Sequence, residues 1–153
     1  MDLGLKDKVA VISGGNKGLG AAAALALAGE GAKIFLTARN ENDLKSVQTE
    51  IETECGVEVG CLAVDITTAD AGDEIVAAAL EQFGRVDIAV NAAGAARGGD
   101  FLTIEDQVWR DAFELKFMGA VRLSRAVIPH MQKQKYGRIV NIIGMFGREP
   151  AKQ

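Results

Sequence analysis

Five short apolar runs, each parted from the next by a helix-length segment, set the narrowest limit on how this chain can fold. Residues 8–13 (KVAVIS), 33–37 (KIFLT), 58–64 (EVGCLAV), 86–90 (VDIAV) and 138–143 (RIVNII) are near-continuous in apolar character, not alternating. A strand with one wet face alternates, whereas a strand covered on both faces has no need to. Between the runs lie an Ala-rich segment 21–28 ended by Gly29 and Gly31, a polar–apolar helix 41–54, and a helix 70–83 with Ile75, Val76, Ala79 and Leu80 on one side. A longer helical pattern covers 103–130, with Trp109, Phe113, Phe117 and Val121 four residues apart on one face, read as core or as a contact between subunits. Strand, helix, strand in that order predicts parallel strands joined by right-handed crossovers, an α/β fold in three layers with a doubly wound parallel sheet. No internal repeat or linker interrupts it, so residues 1–153 read as a single domain.

Charge and composition exclude several functions. With 17 Lys+Arg against 21 Asp+Glu the formal net charge is −4, and no basic cluster offers a nucleic-acid or anionic-membrane surface. The longest apolar run, 18–29, is too short for a bilayer, which takes about 20 residues. The opening Met1-Asp2-Leu3-Gly4 lacks the features of a leader, and Cys55 and Cys61 are not in a Cys-x-x-Cys spacing. They read as packed free thiols, and a cytoplasmic location is the expectation. A single histidine, His130, read at a helix end, leaves no material for a zinc site or a Ser-His-Asp triad.

The first strand stops at Gly14-Gly15-Asn16-Lys17-Gly18-Leu19-Gly20, and a helix follows. A glycine-rich turn between strand and helix suits a dinucleotide pyrophosphate. Glycines let the backbone come close, and the helix start offers free N–H groups with a partial positive charge of roughly half a unit. Glycines also serve ordinary turns, so the context carries this reading.

The run Ser13-Gly14-Gly15-Asn16-Lys17-Gly18-Leu19-Gly20 resembles the Thr-Gly-x-x-x-Gly-x-Gly loop of the short-chain dehydrogenases/reductases, with Ser in place of Thr. Asp65 after the third strand, Asn91-Ala92-Ala93-Gly94 after the fourth, and Gly137-Arg138-Ile139-Val140-Asn141-Ile142 in the fifth match further landmarks of that family, in order. The glycine spacing resembles its ordinary-length branch. The resemblance implies a Rossmann-type sheet, a nicotinamide cofactor, a small-molecule substrate, and assembly as a homodimer or homotetramer. It also implies that the chain is the N-terminal portion of such a protein. Ile139, Val140, Ile142 and Ile143 would otherwise form a bare apolar sheet edge, so the sheet is read as incomplete there.

The residues expected to hold the cofactor are Ser13, Gly14, Asn16, Lys17, Gly18, Leu19, Gly20, Arg39, Asn40, Asp65, Ile66, Asn91, Ala92, Ala93 and Gly94. By resemblance, Asp65 and Ile66 lie beside the adenine, and Asn91 to Gly94 border the ribose. Asp65 also reads as an Asx-type turn through Thr67. An NAD-preferring site ends its second strand on a carboxylate that accepts from the ribose 2′-OH. Here Ala38 holds that position and Arg39 follows. With Lys17 it favours NADP(H) over NAD(H), because a guanidinium pairs with a 2′-phosphate that a carboxylate would repel.

Hydride transfer to a carbonyl also needs a proton donor and a group that polarises the oxygen. The family uses Asn, Ser, Tyr and Lys for this, and this chain departs from the pattern. Lys116 occupies the Asn position, three residues before Gly119, and Gly144 occupies the Ser position. Tyr136, the only tyrosine, has Val140 four residues on where the family has Lys. Lys116 is therefore the one catalytic candidate, either as an amine near the nicotinamide or as a snorkelling surface cation. Met145 and Phe146 are placed on the substrate side by position. Two readings stay open, an NADP(H)-dependent oxidoreductase and a non-catalytic dinucleotide-binding sensor. A methyltransferase-type protein fits less well, since Ala38 leaves no acid for a ribose.

Overall fold

The computed structural model describes residues 1–95 and 100–144. Five strands form one parallel sheet: β1 (Val9–Ser13), β2 (Lys33–Ala38), β3 (Val59–Ala63), β4 (Ile88–Asn91) and β5 (Arg138–Asn141). Their order is β3-β2-β1-β4-β5, so the chain steps outward one way from β1, returns, and steps out on the other side. The helices α1 (Gly18–Gly29), α2 (Glu41–Cys55), α3 (Ala71–Phe83), α4 (Asp106–Phe113) and α5 (Gly119–Gln134) make the crossovers. This is the Rossmann-type arrangement that the uninterrupted apolar runs require. In such sheets ligands bind outside the carboxyl ends of the strands, where the strand order reverses, here between β1 and β4.

Every residue of β1 is buried, because helices cover both faces of it. One face packs Ile12, Ile34 and Leu36 against Ala24 and Ala28 of α1 and Leu44 and Ile51 of α2. The other packs Val11, Phe35 and Ala89 against Ile75 and Ala79 of α3 and Leu123 and Val127 of α5. Alanine runs along the inner side of α1, which lets that helix lie close over the sheet.

Buried polar groups are few and placed. Asp87 is fully buried just before β4, where Arg85 grips its carboxylate through Nε at 2.7 Å and Nη2 at 2.6 Å. The same carboxylate accepts the Val9 N–H at 3.0 Å and so fixes where β1 begins beside β4. Ser13, Thr37 and Asn91, the other buried polar residues, all stand at the carboxyl ends of their strands.

The long helical pattern is not one helix. It breaks at a π-helical turn, Glu114–Met118, that joins α4 to α5. No residue of α4 or of this turn is buried. Trp109, Phe113 and Phe117 are more than half exposed, with Phe113 stacked on Phe117 at 4.7 Å, so they share a face that is exposed, and the reading of this stripe as core is corrected. His130 lies inside α5, which runs on to Gln134, and not at its end. Strand β5 stops at Asn141; all four of its residues are exposed, and among the described residues it pairs with β4 alone. Cys55 and Cys61 are free thiols packed against the core.

Candidate functional site

The turn after β1 is built so that backbone, not side chains, faces outward. Gly14 has φ +70, and a Cβ on it would come within 2.8 Å of the Ala93 backbone. Gly20, buried at the start of α1, leaves room for the Gly14 carbonyl, which any Cβ there would strike. The Gly14 and Gly15 N–H groups both donate to the Thr37 carbonyl, at 2.8 and 3.2 Å, which pins the turn to β2. α1 then opens with no side-chain cap and no acidic residue in its first turn, whereas α2 carries Glu41 and Asp43 in its own first turn and is capped by Asn40. Uncapped helix N–H groups need an acceptor, and an anion supplies one.

Beside this turn lies a cleft of about 630 Å³. Of the expected cofactor residues, Ser13, Gly14, Asn16, Lys17, Arg39, Asn40, Asp65, Ile66, Ala93 and Gly94 line it. Gly18 and Leu19 are exposed on the first turn of α1, with Gly20 buried beneath them. Asn91 and Ala92 lie behind the cleft and line a second cavity, of about 790 Å³. Thr37, Glu41, Asp43, Val64, Ala95 and Leu115 also line the cleft and were missed from the sequence. Of these only Asp43 carried a signal, since an Asn40-x-x-Asp43 spacing marks a helix start where the cap accepts the third amide.

Several of these side chains have work inside the fold. The Ser13 hydroxyl donates to the Val90 carbonyl at 3.4 Å and accepts the Ala92 and Ala93 N–H groups at 3.3 and 3.4 Å. It fastens β1 to the turn after β4, so its share in the cleft is its position and not its hydroxyl. Asn40 accepts the Asp43 N–H at 3.2 Å as the cap of α2. Asp65 accepts the Thr67 N–H at 3.0 Å and the Thr67 hydroxyl at 2.8 Å, the Asx turn read from the sequence. The Thr67 N–H foremost, then its hydroxyl and the charge of Arg39, hold the Asp65 carboxyl below the usual carboxylate range against the opposing effect of burial. Lys17 and Arg39 are exposed at the rim and have no carboxylate within ion-pair distance among the described residues.

The π-helical turn brings Leu115 to the cleft and Lys116 to the second cavity. The Lys116 methylenes run over Gly94, within 3.5–4.0 Å of where a Cβ there would sit. Arg122 braces this turn by donating to the Glu114 carboxylate and to the Ile66 carbonyl. In the second cavity the Asn91 amide donates to Asn141 Oδ1 at 2.8 Å and to the Ser124 hydroxyl at 3.3 Å. Gly144 lies at the same cavity with open space where a side chain would be. Met145 and Phe146 lie outside the described residues.

A dinucleotide fits what is present. The cleft has a backbone cradle that only glycine permits, free helix N–H groups for a pyrophosphate, and cations at its rim. Among the described residues there is no cluster able to hold a metal ion.

The family model described as short chain dehydrogenase matches residues 8–153. A short-chain reductase protein, NovJ, of Streptomyces niveus is 37% identical over 148 residues, covering 97% of this chain and 56% of the relative. An uncharacterised oxidoreductase of Staphylococcus saprophyticus is 34% identical over 149 residues, covering 97% and 64%. L-sorbose reductase from Gluconobacter frateurii, solved with NADPH and L-sorbose, superposes with a TM-score of 0.94 at 36% identity, over 99% of this chain and 57% of that one. An NAD+-bound xylitol dehydrogenase superposes with a TM-score of 0.91 at 29% identity, over 96% and 56%. The chain thus spans 56–64% of the length of these four proteins.

Proposed function

The chain belongs to the short-chain dehydrogenase family, and on that premise we propose that it is the cofactor-binding portion of an NADP(H)-dependent oxidoreductase acting on a carbonyl or alcohol. One observation carries the choice of cofactor. At the cleft rim Lys17 and Arg39 make no ion pair among the described residues, while Ala38 ends β2 where a 2′-OH acceptor would be. The reductases solved with NADPH among the structural relatives support the same reading.

In this reading the nicotinamide, when bound, supplies or takes up the hydride. The chain's own residues do the rest. The Gly14 turn and the first N–H groups of α1 hold the pyrophosphate. Arg39 and Lys17 hold the 2′-phosphate, Asp65 and Ile66 flank the adenine, and Ala93 and Gly94 allow close approach of the ribose. Gly18, Leu19 and Gly20 act through their backbone, and Asn91 and Ala92 from behind the cleft. Lys116 is the nearest candidate to hold or pass a proton, since its stem crosses Gly94 toward the second cavity. A small-molecule substrate, a homodimeric or homotetrameric assembly and a cytoplasmic location belong to the same proposal. No helix among the described residues is long and apolar enough to cross a membrane.

Arg39→Asp is the direct test. It replaces a cation that pairs with a 2′-phosphate by a carboxylate that accepts from a 2′-OH, so the ratio of NADPH to NADH affinity should fall by about tenfold or more. Fluorescence titration of both cofactors measures it, and an unchanged ratio refutes the assignment. The second reading, a dinucleotide sensor without turnover, is favoured by Gly144, which offers no hydroxyl, and by Lys116 in place of Asn. Lys116→Ala in the whole protein separates the two. A catalytic Lys116 predicts a fall in turnover of about 100-fold, the usual yield of a positioned acid or base, with cofactor affinity kept. A whole protein that binds NADPH and shows no turnover before the substitution is the sensor.

A further inference from the structure

Of the three carboxylates that line the cleft, Glu41, Asp43 and Asp65, one is tied to the glycine turn. Asp43, half-buried in the first turn of α2, lines the same cleft as Lys17 and Arg39 and accepts a hydrogen bond from Asn16 Nδ2 at 3.1 Å. Among the described residues this is the one side-chain bond between the glycine turn and α2, and it spans 27 residues of sequence. A carboxylate only accepts, so it fixes the Asn16 amide by its NH2 end and leaves the carbonyl end free. A free carbonyl suits a hydroxyl donor and repels a phosphate.

We propose that Asp43 is a specificity-determining residue of this cleft, which holds Asn16 with its acceptor end free and adds a negative charge to the cleft that Lys17 and Arg39 also line. It thereby loosens the grip on a 2′-phosphate and strengthens the grip on a free ribose hydroxyl. Lys17 and Arg39 attract the phosphate; Asp43 limits how far that attraction goes. The inference rests on the dinucleotide reading of the cleft, but it goes beyond the family landmarks, none of which includes Asp43. Its side chain can be changed without disturbing the cap of α2, because Asn40 is bonded to the Asp43 main-chain N–H and not to the carboxylate.

The test uses the 153-residue chain and two probes, adenosine 2′,5′-bisphosphate and 5′-AMP, titrated by calorimetry. Asp43→Asn should raise the preference for the bisphosphate by about five- to tenfold over the unsubstituted chain, about what losing one repelling charge and one charged hydrogen bond would give. The gain should shrink in high salt, as a charge effect does, and Asp43→Glu should keep the original preference within twofold. A preference unchanged in Asp43→Asn overturns the proposal. So does an equal loss of both probes together with a lowered melting temperature, which would mark Asp43 as a structural prop. If the unsubstituted chain binds neither probe, the dinucleotide reading fails and takes this proposal with it; if it binds both and the variants do not differ, this proposal fails alone.

Discussion

Gly20→Ala is expected to abolish dinucleotide binding at concentrations that saturate the unsubstituted chain. The added Cβ would strike the Gly14 carbonyl oxygen and come within 2.8 Å of its carbon. The neighbour is backbone, so no side chain can swing aside. Relief comes only by moving the Gly14 turn or the first turn of α1, the two segments proposed above to hold the pyrophosphate between them. Overpacking of this kind costs about 1–3 kcal/mol. Borne by the bound state, that cost lowers affinity for NADPH by about 5- to 150-fold. Calorimetric titration alongside a thermal melt checks both parts. Unchanged affinity would mean that the turn is an ordinary strand-to-helix connection. Gly18→Ala provides the contrast, since nothing lies within 4 Å of its Cβ and only its φ of +56 resists the change.

Asp87→Ala is expected to be strongly destabilising although it lies away from the cleft. The carboxylate is fully buried, is held by two Arg85 bonds, and accepts the Val9 N–H. Removing it leaves a buried main-chain donor without an acceptor at the point where β1 meets β4. It also strips the counter-charge from a half-exposed guanidinium. A charged hydrogen bond is worth about 1.5–3 kcal/mol and an orphaned buried donor about 1–3 kcal/mol, with overlap between the two. A loss of about 3 kcal/mol follows, or roughly 6–12 °C in melting temperature for a chain of this size. Urea denaturation measures it. Asp87→Asn, which keeps an acceptor for Val9, should lose clearly less. The exposed Lys33–Glu58 pair, at 3.1 Å, is the control: both partners are solvated, so Glu58→Gln should leave the melting temperature almost where it was.

Much of this fold is legible in the sequence, and for a physical reason. Strands covered on both faces leave uninterrupted apolar runs, and helices between them leave no topology but parallel crossovers, so β1 to β4 lie within about two residues of where the runs predict them. The glycine turn was legible as well, since few uses of Gly14, Gly18 and Gly20 between a strand and a helix need that many glycines. The edge strand β5 was legible too: its apolar run reads as a bare sheet edge, and all four of its residues are exposed. The broken helix was not. A π-helical turn leaves no composition signature, and the spacing of Trp109, Phe113 and Phe117 shows that they share a face but not what covers it, so burial was predicted where there is exposure.

The site divides in the same way. Sequence by itself determined the parts that local backbone geometry dictates: the glycine turn, the missing acid at Ala38, the cations Lys17 and Arg39, and the Asx turn at Asp65. Tertiary structure decided how side chains distant in sequence share their bonds. It occupies the Ser13 hydroxyl with β4, commits Asn40 to capping α2, lays the Lys116 stem across Gly94, and joins Asp43 to Asn16. Each of these depends on two segments meeting at hydrogen-bond or contact distance. A sequence records which groups exist, but only the packed chain settles which of them are still free to meet a ligand.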